Sequence, residues 1–196
     1  YNTWATGAVM QGHRILGFTA EDKAGRRLRF LAPVVIDATH EADVAAWAGV
    51  PYRVGREPRS VREPHAGDIH YFNGTGEIMP QSTGRQDRAV VSYGLRLCVR
   101  HYTPEEGDAH ILKTPPPGYD PEKYRLAGFG AEISMPGRKT EMNANPVGNE
   151  LQLVNWSWPE ASRAERLKLY EIYRNHALGF LYYVQHERGW RHLGLP

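Results

Sequence analysis

The chain has 196 residues, 41% hydrophobic and 23% charged, the balance of a soluble globular protein and not of a disordered or collagen-like one. Its formal charge of +2, with Lys and Arg scattered along the sequence, excludes the basic footprint of a nucleic-acid binder. The longest nearly unbroken apolar run, residues 177–184, is far below the ~20 residues that span a bilayer, and the single cysteine, Cys98, can form no intramolecular disulfide.

In chain order, residues 5–36 read as three β-segments, 5–10, 15–20 and 28–36, joined by tight turns at Gln11-Gly12 and at 22–25. The third is expected to be a buried strand that ends abruptly in a polar turn, with Asp37, Thr39, His40, Glu41 and Asp43 left at its mouth. Ala45, Ala46, Trp47 and Ala48 continue as a short helix, with Gly49 as its stop before Pro51. A strand, a polar turn and a helix in this order deliver polar groups and helix amides to the carboxyl edge of a sheet, where cofactors are commonly met. The bland alternative is a helix cap built by Thr39 and Asp43.

Residues 53–84 are rich in Pro, Gly and charge and are expected to be loop with one short strand at 69–72. Arg56 and Glu57 read as a surface pair. Residues 89–101 return to β character, with Val91, Tyr93, Leu95, Leu97 and Val99 on one face and Ser92, Arg96 and Arg100 on the other. Cys98 is expected to be a small buried hydrophobe there. Residues 103–119, with prolines at 115–117, form an extended connector, and Pro121 starts a short helix to about 126. From about 160 to 186 the spacing of Leu169, Tyr173, Ala177, Phe180 and Val184 predicts a long helix opened by a Ser162/Glu165 capping box. Its second half is apolar nearly all round and therefore buried, so Tyr170, Tyr173, Tyr182 and Tyr183 read as packing and His176 as a satisfied core histidine.

The wording of several segments goes further. Asp37-Ala38-Thr39-His40-Glu41-Ala42-Asp43 is similar to an Asp-Ala-Thr-Tyr-Glu-Gly-Asp segment, Tyr93-Gly94-Leu95-Arg96-Leu97-Cys98 to Tyr-Asn-Phe-Arg-Leu-Cys, and Pro116-Pro117-Gly118-Tyr119-Asp120-Pro121 to Pro-x-Gly-Tyr-Asp-Pro. Lys139-Thr140-Glu141-Met142-Asn143-Ala144-Asn145, Trp158-Pro159-Glu160-Ala161-Ser162, and His176 with Leu178-Gly179-Phe180-Leu181-Tyr182-Tyr183 follow in the same order. Together they resemble one branch of the FAD-dependent oxidoreductases with the glutathione-reductase-type flavin fold. The resemblance implies an α+β or α/β chain: part of an FAD-binding domain at 1–57 (β-meander plus strand-turn-helix), then a mixed-sheet substrate domain at 58–196 with the long C-terminal helix.

It also implies FAD as cofactor, with Ala38, Thr39, Glu41 and Asp43 as cofactor contacts, and hydride transfer between flavin and a small-molecule substrate. His40 stands where the family often has Tyr, and Ala42 where it often has Gly. Arg96 and His40 are the catalytic candidates; Arg96 would meet substrate or flavin charge or else pair with a structural carboxylate. Asn143 and Asn145 become substrate-binding candidates through the resemblance alone. No metal is expected, because Val44 occupies the place of the second His that a His40-Glu41 zinc helix needs.

The Gly-x-Gly-x-x-Gly turn that holds FAD pyrophosphate is absent; the nearest match, Gly128-Phe129-Gly130-Ala131-Glu132-Ile133, has Ile for the third Gly and follows no β-run. The chain is therefore expected to be an internal portion of a longer, cytoplasmic enzyme whose remaining segments are its partners, with export of the parent left open. A flavin-free binding or structural module that keeps the fold is the alternative.

Overall fold

The computed structural model describes residues 2–71, 75–127, 134–143 and 147–196. They divide into two compact units, Tyr1–Val54 and Gly55–Pro196, in an α+β fold.

The first unit is an antiparallel meander of β1 (Thr3–Gln11), β2 (Arg14–Asp22) and β3 (Arg27–Leu31), in the order β1-β2-β3, followed by helix α1 (Asp43–Trp47). The Asp22 carboxylate closes the second turn by accepting from the backbone N–H groups of Ala24 (2.9 Å) and Arg26 (3.0 Å) and from Arg26 Nε (2.7 Å). The expected long third strand is shorter than its apolar run: pairing stops at Gly17 opposite Leu31, and Val34 and Ile36 are 74% and 83% exposed. Pro33 explains this, since it has no N–H for a ladder and restricts Ala32 before it. Gly49, at φ 79°, ends α1 as expected, with its N–H on Ala46 O (3.0 Å) and that of Val50 on Ala45 O (3.1 Å).

In the second unit, the described residues of 55–88 are mostly irregular, and of the short strand expected at 69–72 the described part shows an isolated bridge, Tyr71 with Ile78, with Phe72 outside the described residues. The strand expected at 89–101 divides into β4 (Tyr93–Gly94) and β5 (Leu97–His101). It divides because its carbonyls are claimed by side chains from far along the chain: Asn155 Nδ2 donates to Val91 O (2.7 Å) and Asn149 Nδ2 to Leu95 O (2.9 Å). Between them β4 pairs with β8 (Glu150–Leu151), while β5 lies in a four-stranded antiparallel sheet. That sheet runs β6-β7-β5-β9, with β6 at Ser134–Met135, β7 at Lys139–Met142 and β9 at Leu193–Gly194.

Leu97 and Val99 stand opposite Met142 and Thr140 on the buried face, and Cys98 and Arg100 opposite Glu141 and Lys139 on the other. Cys98 is exposed, contrary to expectation, because the alternation of the strand outweighs the usual burial of cysteine.

Helix α2 (Arg163–His186) begins with the predicted capping box: Ser162 Oγ accepts from Glu165 N–H (3.3 Å) and Glu165 Oε2 from Ser162 N–H (2.8 Å). Its second half packs Phe180, Leu181, Tyr183 and Val184 against Val99, Tyr124, Met142 and Leu193 to form the core. Tyr170, expected to pack, is 44% exposed. Buried Gln185 fastens the helix to two strands of chain, accepting from Leu112 N–H (3.0 Å) and donating to Leu193 O (2.7 Å). Among the described residues no helix is long and apolar enough to cross a membrane.

Candidate functional site

The polar turn before α1 is constructed around Asp37. Its Oδ1 accepts from the backbone N–H (3.0 Å) and the hydroxyl (2.7 Å) of Thr39, and its Oδ2 from Ala45 N–H (2.9 Å). Thr39 Oγ1 accepts in turn from Asp43 N–H (2.7 Å). Both side chains are thus spent on shaping the backbone, an Asx turn extended through a hydroxyl relay. Burial pushes the Asp37 carboxyl pKa up, but the hydrogen bonds from Thr39, Ala45 and Val44 outweigh it and hold the group below its ordinary value. Ala42 sits in the left-handed region at φ 55°, ψ 42°. That backbone favours glycine, which is a physical reason for the Gly in the wording this segment resembles.

The result is a fixed turn with Ala38, Thr39 and His40 exposed and Glu41 and Asp43 half-buried. In the chain it is flanked by apolar side chains that have not found a core: Val34 (74% exposed), Ile36 (83%), Trp47 (40%) and Tyr52 (60%). The turn thus combines exposed residues with exposed apolar side chains near it in the sequence. Sequence reasoning placed Asp37 at the mouth but not among the decisive residues. Its Asp-x-Thr spacing was the available signal.

In the second unit, Arg96 and Asn143 flank the terminal ladder pair Leu97–Met142, so they stand at the same end of the β5–β7 pair. Arg96 Nη1 donates to Glu141 Oε1 (3.0 Å), with the arginine side chain 61% exposed. A pair this open contributes ~0–1 kcal/mol. Asn143 Oδ1 is buried with no hydrogen-bond partner, an acceptor left for a donor that the described chain does not provide. Asn145 and the Gly128–Ile133 near match lie outside the described residues. Arg56 does not act as a surface partner of Glu57 alone: its guanidinium is held by Asp87 and by Asp68 Oδ1 (2.9 Å), raising its pKa, with the Asp87 hydrogen bond the largest cause.

His176 is a satisfied core histidine. Its Nε2 donates to Glu150 O (3.0 Å), its Nδ1 lies 3.2 Å from the Tyr124 hydroxyl, and that hydroxyl donates to His176 O (3.0 Å). Burial lowers its pKa and favours the neutral ring. Among the described residues no cluster of His, Cys, Asp and Glu could hold a metal ion.

The family model for FAD dependent oxidoreductases matches residues 1–196, and the chain belongs to that family. It is an oxidoreductase with FAD as cofactor. No curated protein and no solved structure matches it.

Proposed function

We propose that the turn at residues 37–43 borders the flavin, with Ala38, Thr39, Glu41 and Asp43 as cofactor contacts, in a glutathione-reductase-type flavin fold. Residues 1–57 then serve as part of the FAD-binding domain and residues 58–196 as the substrate domain. FAD, when bound, supplies the hydride chemistry. What remains for the chain is positioning and charge. Asp37 and Thr39 hold the turn against α1 so that its exposed main chain keeps one shape. His40 offers an exposed imidazole as a proton donor or acceptor, and Arg96 an exposed cation balanced by Glu141, on the same end of the β5–β7 pair as the unpartnered Asn143 carbonyl. This end is our choice for the small-molecule substrate.

The observation that supports the reading is the Asp37–Thr39–Asp43 relay, which shapes a solvent-exposed turn within a chain that the FAD family model matches over residues 1–196. Titrating FAD into the apo-protein and following flavin fluorescence tests it. Saturable quenching is expected, weak enough for the flavin to be lost on gel filtration, since no described element provides a Gly-rich pyrophosphate turn. Asp43→Ala should weaken it by an order of magnitude. No saturable quenching, as from a flavin-free module, or an unchanged affinity in Asp43→Ala, overturns the assignment of this turn.

A further inference from the structure

β3 is the last strand in the order β1-β2-β3, so its outer edge has no neighbouring strand. Which backbone groups stand on that edge follows from the register. The β2–β3 ladder is bracketed by Ala32 N–H donating to Leu16 O (3.0 Å) and Asp22 N–H donating to Arg26 O (3.1 Å). Bonded and non-bonded pairs alternate along an antiparallel ladder. Leu28 and Phe30 are therefore the residues that bond to β2, at Ala20 and Phe18, while Arg27, Arg29 and Leu31 turn their N–H and C=O groups outward. Among the described residues nothing pairs with those outward groups.

Alternation gives the two faces of this edge different chemistry. Arg27 and Arg29 share one face, opposite Glu21 and Thr19 of β2, and both are exposed. Neither guanidinium forms an ion pair with a described carboxylate, Glu21 included. Leu28 and Phe30 share the other face, where Phe30 stacks on Phe18 with ring centroids 5.0 Å apart and is still 46% exposed. Open amides with cations on one face and an apolar ring on the other complement a strand that carries carboxylates on one face and apolar side chains on the other. A second copy of this chain fits poorly there: paired antiparallel over its full length, β3 sets Arg29 against Arg29, and like charges directly opposite repel. The arginines that turn away a like strand thus select an acidic one.

We propose that the outer edge of β3 docks an extended acidic segment of a partner protein, added antiparallel to the three-stranded meander. The main chain of that segment bonds to Arg27, Arg29 and Leu31. Carboxylates at alternate positions meet Arg27 and Arg29, and the apolar residues between them cover Leu28 and Phe30. Pro33, which has no N–H to offer, limits the added pairing to the five residues of β3. The docking edge is independent of the flavin contact proposed for the 37–43 turn.

A dye-labelled peptide, Thr-Val-Glu-Val-Glu-Thr, is titrated into the whole chain while fluorescence anisotropy and backbone amide exchange are followed. A saturable rise in anisotropy is expected, with exchange slowed at Arg27, Arg29 and Leu31 and little changed at Leu28 and Phe30, whose N–H groups already bond to β2. The same peptide N-methylated at both glutamates should bind at least tenfold more weakly. These two measurements test the edge without any variant. Arg29→Glu should weaken the acidic peptide at least tenfold and admit Thr-Val-Lys-Val-Lys-Thr, a reversal that a misfolded chain would not show. Arg14→Glu, which reverses an exposed cation at the β1–β2 turn, should leave the affinity unchanged. No saturable binding, slowed exchange outside β3 alone, an unchanged affinity for the N-methylated peptide, or equal weakening by Arg29→Glu and Arg14→Glu overturns the proposal. So does a chain that sediments as a dimer with Arg27, Arg29 and Leu31 already protected.

Discussion

Asp37→Ala removes the residue on which the turn before α1 depends. The five residues of Asp43–Trp47 cannot sustain a helix by propagation alone. Its N-cap, Ala42, adds a left-handed backbone that costs roughly 1–2 kcal/mol in an L-residue and makes no side-chain cap bond. What offsets this is the Asp37 carboxylate, with three acceptor contacts at 2.7–3.0 Å to Thr39 and Ala45. A capping side chain contributes ~0.5–2 kcal/mol, and one that is ionised and multiply bonded belongs at the upper end even when half exposed. About 2 kcal/mol is therefore expected, enough to raise amide exchange at Ala45 by roughly 30-fold. Thr39→Val breaks only the relay and should cost about half as much. The acid dependence follows from the lowered carboxyl pKa: the contribution is present above the ordinary value of 3.8 and is lost as pH falls through the lower folded value. Hydrogen exchange by NMR at Val44 and Ala45 reads all three. Unchanged exchange in Asp37→Ala would refute the assignment of Asp37 as the cap, and so would a larger effect from Thr39→Val.

Two further outcomes rest on the second unit. Gly179→Ala places a methyl against the buried Tyr124 hydroxyl and 3.2 Å from its Cζ; overpacking of ~1–3 kcal/mol exceeds the ~1 kcal/mol gained in helix propensity, so Tm should fall, and a rise would show that the Tyr124 ring yields freely. Glu106, held down at about 2 against an ordinary 4.5, contributes stability above pH 4.5 that is lost as pH falls toward 2. Urea midpoints measured across that window should fall less steeply in Glu106→Gln than in the parent chain, and parallel curves would mean that the Arg100 and Arg138 contacts do not persist in solution.

The features legible in the sequence are those whose cause lies within a few residues. The Ser162/Glu165 box, the Gly49 stop and the turns of the meander each satisfy their own backbone groups locally. The failures have distant causes or a competing local one. Pro33 ends β3 inside an apolar run that by hydropathy alone continues to Ile36. The break between β4 and β5 is written at Asn149 and Asn155, more than fifty residues from the carbonyls they claim. Arg56 finds its carboxylates 12 and 31 positions away.

Cys98 is the instructive case, because the alternation that put Arg96 and Arg100 on the open face already put Cys98 there. The geometric period prevails there over the tendency of cysteine to be buried. The candidate sites follow the same division. The turn proposed to border the flavin is compressed into seven residues, so its wording could be read. The end of the second unit that carries Arg96 and Asn143 draws its groups from two strands, and only the pairing of β5 with β7 brings them to one place.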